Sequence, residues 1–223
     1  SNGCCTVDAG IDLVNLEVSS TTTWSQTAPL VISGVIDIQR GTLLINQTEL
    51  HFSPQGKIIV RPGAKLNLEN STLTSTNCGE LWQGIELQGD ANDSQDYFAQ
   101  GEVNMGSSTI ENASQGISVY GLNNNQIDWS KTGGKITAIN SFFKNNWKDV
   151  AFLSYVYPNN SKFTNTKFIT SQPLNSGVNP GWHVTMYDVS GIEFLGCEFS
   201  NTLSNSLVFE RGSGIKSIDS KFD

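Results

Sequence analysis

Two residues stand out as a possible acid–base pair. Asp149 and His183 lie at equivalent points of two short segments, Val150/Phe152 and Val184/Met186, whose apolar residues alternate with period two. If those segments are neighbouring parallel strands, the two side chains fall in one outward column with Cβ atoms about 5 Å apart. A carboxylate there orients an imidazole and raises its basicity. Lys148, Tyr120 and Tyr187 lie nearby, and the only other histidine, His51, reads as solvent-exposed. An accident of a surface rich in Asn and Ser explains the same pairing without chemistry.

Aromatic residues point to a second kind of site. Trp82, Trp147 and Trp182 each precede one of these segments by two or three residues. Tyr97, Phe98, Tyr120, Trp129, Tyr155, Tyr157 and Tyr187 fall on the adjoining loops or margin. Flat aromatic faces with amide edges suit a sugar ring and its hydroxyls, so Trp82, Glu86, Tyr120, Trp147, Trp182 and Tyr187 are the candidate substrate-binding residues. The same Trp side chains could instead plug turns. The loop Asp90-Ala91-Asn92-Asp93-Ser94-Gln95-Asp96 offers alternating oxygens, and Asp90, Asn92, Asp93 and Asp96 could hold calcium. It lacks the Gly at the sixth position and the distal Glu of an EF-hand loop, so a solvated loop fits as well, and no cofactor is required.

Four cysteines occur, at 4, 5, 78 and 197. Cys197 fills a small inward position and reads as a buried free thiol. Cys4 or Cys5 could pair with Cys78 in an extracellular setting, but spacing leaves the connectivity open. No metal-ligand spacing joins the four.

These residues must be positioned by repeating elements. One eight-residue frame (apolar, x, apolar, x, turn residue, small hydroxyl, x, large apolar) starts at Leu43, Leu66, Val103, Ile136, Ser161, Ile192 and Ile215. Its sixth position reads Thr48, Ser71, Ser108, Ser141, Thr166, Cys197, Ser220, and its eighth Leu50, Leu73, Ile110, Phe143, Phe168, Phe199, Phe222. The fifth is Gln47, Asn70, Ser107, Asn140, Asn165, Gly196 and Asp219, mostly types that tolerate a left-handed bend. After the frames come the inward pairs Ile58/Val60, Ile85/Leu87, Ile117/Val119, Val150/Phe152, Val184/Met186 and Leu207/Phe209. Three strands per unit, with a shortest unit of 23 residues, predict stacked coils of parallel strands that satisfy one another's edges. Residues 1–29 do not fit the repeat and read as a cap or lead-in, with the solenoid over 30–223. The missing initiator Met and the break inside a repeat at the end suggest a piece of a larger polypeptide, truncated at the C-terminus.

Insertions at about 75–83, 89–101, 121–134, 154–160 and 170–182 flank the second-segment strands, making that stack the floor of a loop-walled groove. Its outward columns are expected to be Gly84, Gly116, Asp149, His183, Ser206 and Glu86, Ser118, Ala151, Thr185, Val208. Two further columns, Lys162/Glu193/Lys216 and Lys167/Glu198/Lys221, alternate in charge and read as exposed cross-coil ion pairs.

Composition agrees. Of 223 residues only 15% are charged, against about 25% in typical soluble domains, while Asn, Ser and Thr reach roughly 30%. The net charge of −8 argues against nucleic acid or anionic lipid as partner, and no apolar run is long enough for membrane insertion.

The repeat resembles the right-handed parallel β-helix of the pectate-lyase-like superfamily over about residues 30–223. The segments Cys78-Gly79-Glu80-Leu81-Trp82-Gln83-Gly84-Ile85 and Val60-Arg61-Pro62-Gly63-Ala64-Lys65-Leu66 resemble β-helix segments of large secreted surface proteins of Bacteroidetes-type bacteria. That resemblance implies an all-β solenoid in an extracellular or cell-surface protein, with polysaccharide or cell-surface glycan as the partner. In the enzymes of the superfamily it implies a calcium cluster with an Arg or Lys base, or paired Asp residues with Gly-His-Gly and Arg-x-Lys. Here there is no Asp-Asp and no Gly-His-Gly, and the arginines are Arg40, Arg61 and Arg211. Catalysis is thus left open with the residues leaning against it. The expectation is a rigid scaffold or adhesin-like module contacting polysaccharide along the groove; the alternatives are a lyase or glycoside hydrolase centred on Asp149 and His183, and a structural spacer.

Overall fold

The computed structural model describes residues 12–76, 79–96, 98–174, 176–203 and 214–220, and they form an all-β protein with one short 3-10 turn, Trp129–Lys131. Its strands make two long parallel sheets, one of 14 strands and one of seven, compatible with a β-solenoid. The seven-stranded sheet stacks Thr22–Trp24, Thr42–Asn46, Lys65–Glu69, Glu102–Gly106, Lys135–Ile139, Lys162–Thr164 and Glu193–Leu195. The larger sheet is two such stacks joined by the long strand Leu30–Ile38. Its first half pairs with Glu49–Phe52, and from there the second stack runs through Thr72–Ser75, Thr109–Glu111, Phe142–Lys144, Lys167–Thr170 and Glu198–Asn201. Its second half pairs with Lys57–Val60, opening a third stack through Trp82–Leu87, Ala113–Val119, Lys148–Phe152, Val184–Tyr187 and Ile215–Ile218.

Frame positions sit side by side in these ladders. Leu43 pairs with Leu66, Leu66 with Val103 and Val103 with Ile136. Leu50, Leu73, Ile110, Phe143, Phe168 and Phe199 pair in succession along the second stack. The inward residues of all three stacks meet in one hydrophobic core, which includes Leu43, Leu66, Leu73, Ile110, Phe143, Phe168, Ile85, Ile117 and Val150. All seven fifth-position residues have φ between 49° and 63°, so each supplies the left-handed bend the frame requires.

The sixth position explains why a small hydroxyl recurs. The Ser71 hydroxyl donates to the Glu69 carbonyl (2.8 Å) and accepts the Thr48 N–H (3.1 Å). Ser108 repeats this with Gly106 (2.9 Å) and the Ser71 N–H (3.1 Å), and Ser141 with Ile139 (2.9 Å) and the Ser108 N–H (3.2 Å). The ladder satisfies backbone donors that are buried at the bend. Ser108→Ala removes the acceptor of the Ser71 N–H and is expected to cost about 1–3 kcal/mol in urea denaturation, whereas Ser108→Thr, the type used at 48 and 166, keeps most of the stability.

Several expectations are corrected. The frame at Ile215 lies on the third stack, where Ile215 pairs with Val184, so Lys216 is not in the column of Lys162 and Glu193. The ion pairs Lys162–Glu193 and Lys167–Glu198 do form, each at 3.0 Å. Within residues 12–29, which read as part of a cap or lead-in, Asp12–Val18 pairs in parallel with Leu30–Ile38 and Thr22–Trp24 with Thr42–Asn46, and neither pairing decides that reading. His51 is buried, its Nε2 lying 2.7 Å from Glu49 Oε1, and Cys197 is a half-buried free thiol. Cys4, Cys5, Cys78, Tyr97, Ser206, Leu207, Val208, Phe209, Arg211, Lys221 and Phe222 lie outside the described residues.

Candidate functional site

The floor of the groove is the outer face of the third stack, and a bulge decides which side chains reach it. Between Trp82–Leu87 and Ala113–Val119 the register slips, so that Gly84 faces Gln115 and Ile85 faces Ile117. Gly84 has φ +95°, and a Cβ there would lie 1.5 Å from the Gln115 carbonyl oxygen, so no other residue fits. One extra residue reverses the in–out alternation before it. Gly116, Asp149 and His183, expected to point outward, are therefore buried, whereas Gly84 stays level with Lys57 and Gln115 on the floor; the exposed or half-buried positions are Gln83, Gln115, Lys148 and Trp182.

Asp149 and His183 do meet: Nδ1 lies 2.5 Å from Oδ2. They meet inside the protein, at 1% and 4% exposure. Both the Asp149 and Val150 N–H groups donate to the His183 carbonyl, which marks the same local distortion. Asn146 Nδ2 donates to Asp149 Oδ1 (2.8 Å), and His183 Nε2 donates to the Ser200 carbonyl (3.2 Å), tying the third stack to the second. Burial pushes the Asp149 carboxyl above the usual aspartate range, against the pull of His183 and Asn146. Rings of Phe168 and Phe199 lie 6.5 and 6.3 Å from the imidazole. What this arrangement does best is hold a corner, and neither side chain lines the recesses on the floor.

The expected substrate-binding residues divide. Trp82 is fully buried, stacked on Phe52 (4.2 Å, 15°) with its indole N–H donating to the Glu111 carbonyl (2.8 Å). Tyr120 is buried, its hydroxyl donating to Gln115 Oε1 (2.9 Å). Glu86 faces outward yet is only 6% exposed, because Lys57 Nζ (3.1 Å), Gln88 Nε2 (2.6 Å) and the Leu122 N–H (2.9 Å) all approach its carboxylate. The last of these fastens a hairpin, Gly121–Asn123 against Gln126–Asp128, to the floor; its turn residues Asn124 and Asn125 both have positive φ. Trp147 and Tyr187 are exposed and Trp182 is half-buried; Tyr187 contacts Trp129 edge-on at 6.3 Å.

Two recesses share this floor. One, about 220 Å³, is lined by Gln55, Lys57, Gln83, Ser114, Gln115 and Ser118, with Leu122 of the hairpin at its edge. The other, about 470 Å³, adjoins it through Gln55, Gln83 and Ser114 and is bounded by Leu81, Trp147 and Val178. Ser118 was among the outward residues expected, but sequence reasoning missed Gln83 and Gln115 because it placed the outward column one residue too far along. The signal was present in Gly84 and Gly116, each a glycine directly ahead of an inward isoleucine.

In the acidic loop, Asp90 Oδ1 accepts the Asn92 N–H (2.9 Å). The Asp93 carbonyl accepts from Gln100 Nε2 (2.7 Å) and the Tyr155 hydroxyl (2.6 Å), and the Asn92 carbonyl from the Tyr157 hydroxyl (3.0 Å). Burial, then Tyr157 and the loop's Asp93, Asp90 and Asp96, push the Tyr155 phenol up to about 12. Among the described residues no three His, Cys, Asp or Glu side chains converge as metal ligands, and no helix is long and apolar enough to cross a membrane. Fold and site together define an all-β protein of long parallel sheets with a polar groove along one stack. No family model, curated protein or solved structure matches the chain.

Proposed function

We propose that the chain is a right-handed parallel β-helix, three strands to a coil and 23 residues in its shortest coil, serving as a rigid scaffold or adhesin-like module of a secreted or cell-surface protein. Its groove holds polysaccharide. The observation that carries this reading is the pair of adjoining recesses: a floor of Gln55, Gln83, Gln115, Ser114 and Ser118 offers donors and acceptors to sugar hydroxyls, and Trp147 at the margin offers a face to the ring. The continuous parallel ladders supply the rigidity. A lyase or hydrolase centred on Asp149 and His183 is disfavoured because both side chains are buried away from the groove.

The test incubates the protein with neutral and acidic polysaccharides, with and without calcium, following retention on the polymer and release of unsaturated or reducing ends. Retention without release is expected, with Trp147→Ala weakening it about tenfold, as loss of one aromatic anchor does. Release of new ends by the folded protein would replace the module by an enzyme, and no retention of any polymer would leave a spacer.

A further inference from the structure

Beyond the two recesses the floor changes character. Lys57, Lys65, Lys144, Lys162 and Lys167 each reach a carboxylate on a neighbouring strand, at 2.9 to 3.5 Å. Lys148 and Lys216 form no such pair among the described residues. Instead the Lys148 ammonium lies over the Trp147 ring, 5.3 Å from its centroid, and the Lys216 ammonium over Trp182 at 5.7 Å. Lys148 pairs in register with Gln115 of the floor, and Lys216 follows on the last described strand of the same stack, so this patch continues the groove. Burial, and after it the charge of Lys216, hold the Lys148 ammonium below its ordinary value, so the two cations repel across a partly desolvated surface. In a chain of net charge −8, two neighbouring cations with no carboxylate partner among the described residues are out of character. A ligand anion between them would relieve that repulsion, and an ammonium held over an indole keeps N–H donors free for it.

We propose that Lys148 and Lys216, each seated on a tryptophan, form an anion subsite that binds the charged substituent of an acidic sugar unit, carboxylate or sulfate, directly and without a bridging divalent cation. This rests on the reading of the groove as a polysaccharide site and names the substrate class. The lysines supply the charge recognition, while Trp147 and Trp182 flank the sugar face.

The experiment measures binding of three oligosaccharides in the presence of EDTA: a uronic-acid oligomer, the same oligomer with its carboxyls reduced to primary alcohols, and a sulfated oligomer of similar length. The wild type is expected to bind at least one anionic oligomer about tenfold tighter than the reduced one, with the preference lost in about 1 M NaCl, where the screening length falls to about 3 Å. Which anionic oligomer wins separates carboxylate from sulfate. Lys148→Gln/Lys216→Gln should abolish the preference, bringing its affinities for the anionic and the reduced oligomer level with each other, and circular dichroism checks its fold. Equal binding of charged and reduced oligomers by the wild type, or a preference that appears only when calcium replaces EDTA, overturns the subsite and leaves the groove reading standing. Failure to bind any of the three, with or without calcium, overturns both.

Discussion

His183→Ala will destabilise the protein by about 3–5 kcal/mol, because it strands the Asp149 carboxyl in the interior with only Asn146 for company. An exposed acid–base pair would behave otherwise: its alanine variant would abolish turnover and barely move the unfolding midpoint. The pH dependence separates the two further. Burial already places the folded-state affinity of Asp149 for its proton above the unfolded value, and His183 opposes that shift. Without the imidazole the shift grows. A carboxyl whose folded value is raised contributes stability that is complete below the unfolded value and is lost as pH rises through the folded one. The deficit of His183→Ala should therefore be largest at neutral pH and shrink as pH falls toward about 4, the ordinary aspartate range. Asp149→Ala/His183→Ala should cost less than the sum of the single changes, since it leaves no lone charge behind. Urea denaturation of the three variants across that range checks all of this, and a deficit constant with pH would contradict it.

The same pair shows where reading the sequence succeeds and where it slips. Successive frames from Leu43 to Ile192 fall into register because each constrains several positions at once: two apolar residues inward, a left-handed bend, a buried hydroxyl with a backbone donor to satisfy. Asp149 and His183 are brought together for the same reason, since adjacent strands in register bring equivalent residues to the same height. Their direction was not legible from period-two alternation, which counts residues and cannot see that Gly116 is an extra one. The strand at Ile215 was misplaced because an apolar residue at its start with Asp219 and Ser220 at the fifth and sixth positions matched the frame, and only pairing with Val184 shows that it lies on the third stack. Trp82 and Trp147 look alike in the sequence. One is covered because Phe52 lies beneath it on the second stack, a contact that joins residues 30 apart in the chain and carries no local signature.

The second large effect is expected at Phe168. Its ring is fully buried and stacked between Phe143 (5.1 Å, 3°) and Phe199 (4.7 Å, 4°), one strand on either side, with Phe163 edge-on at 5.5 Å. Phe168→Ala removes the middle ring of that stack, and a loss of about 3–5 kcal/mol is expected for a cavity of this kind. Phe168→Leu should cost less, because Leu50 and Leu73 fill the same frame position on other strands. The distribution of the loss is more telling than its size. Each strand of a stack leans on its immediate neighbours, so damage spreads along the stack by contact rather than through the whole protein at once. Amide exchange should therefore quicken first at Phe142–Lys144 and Glu198–Asn201, the strands paired with Lys167–Thr170, while Thr42–Asn46 and Lys65–Glu69 keep their protection. His183 lies against the same ring, so Phe168→Ala should also loosen the buried pair, and Phe168→Ala combined with His183→Ala should fall short of additive. Uniform loss of protection along all three stacks would instead mean that the sheets unfold as a single cooperative unit.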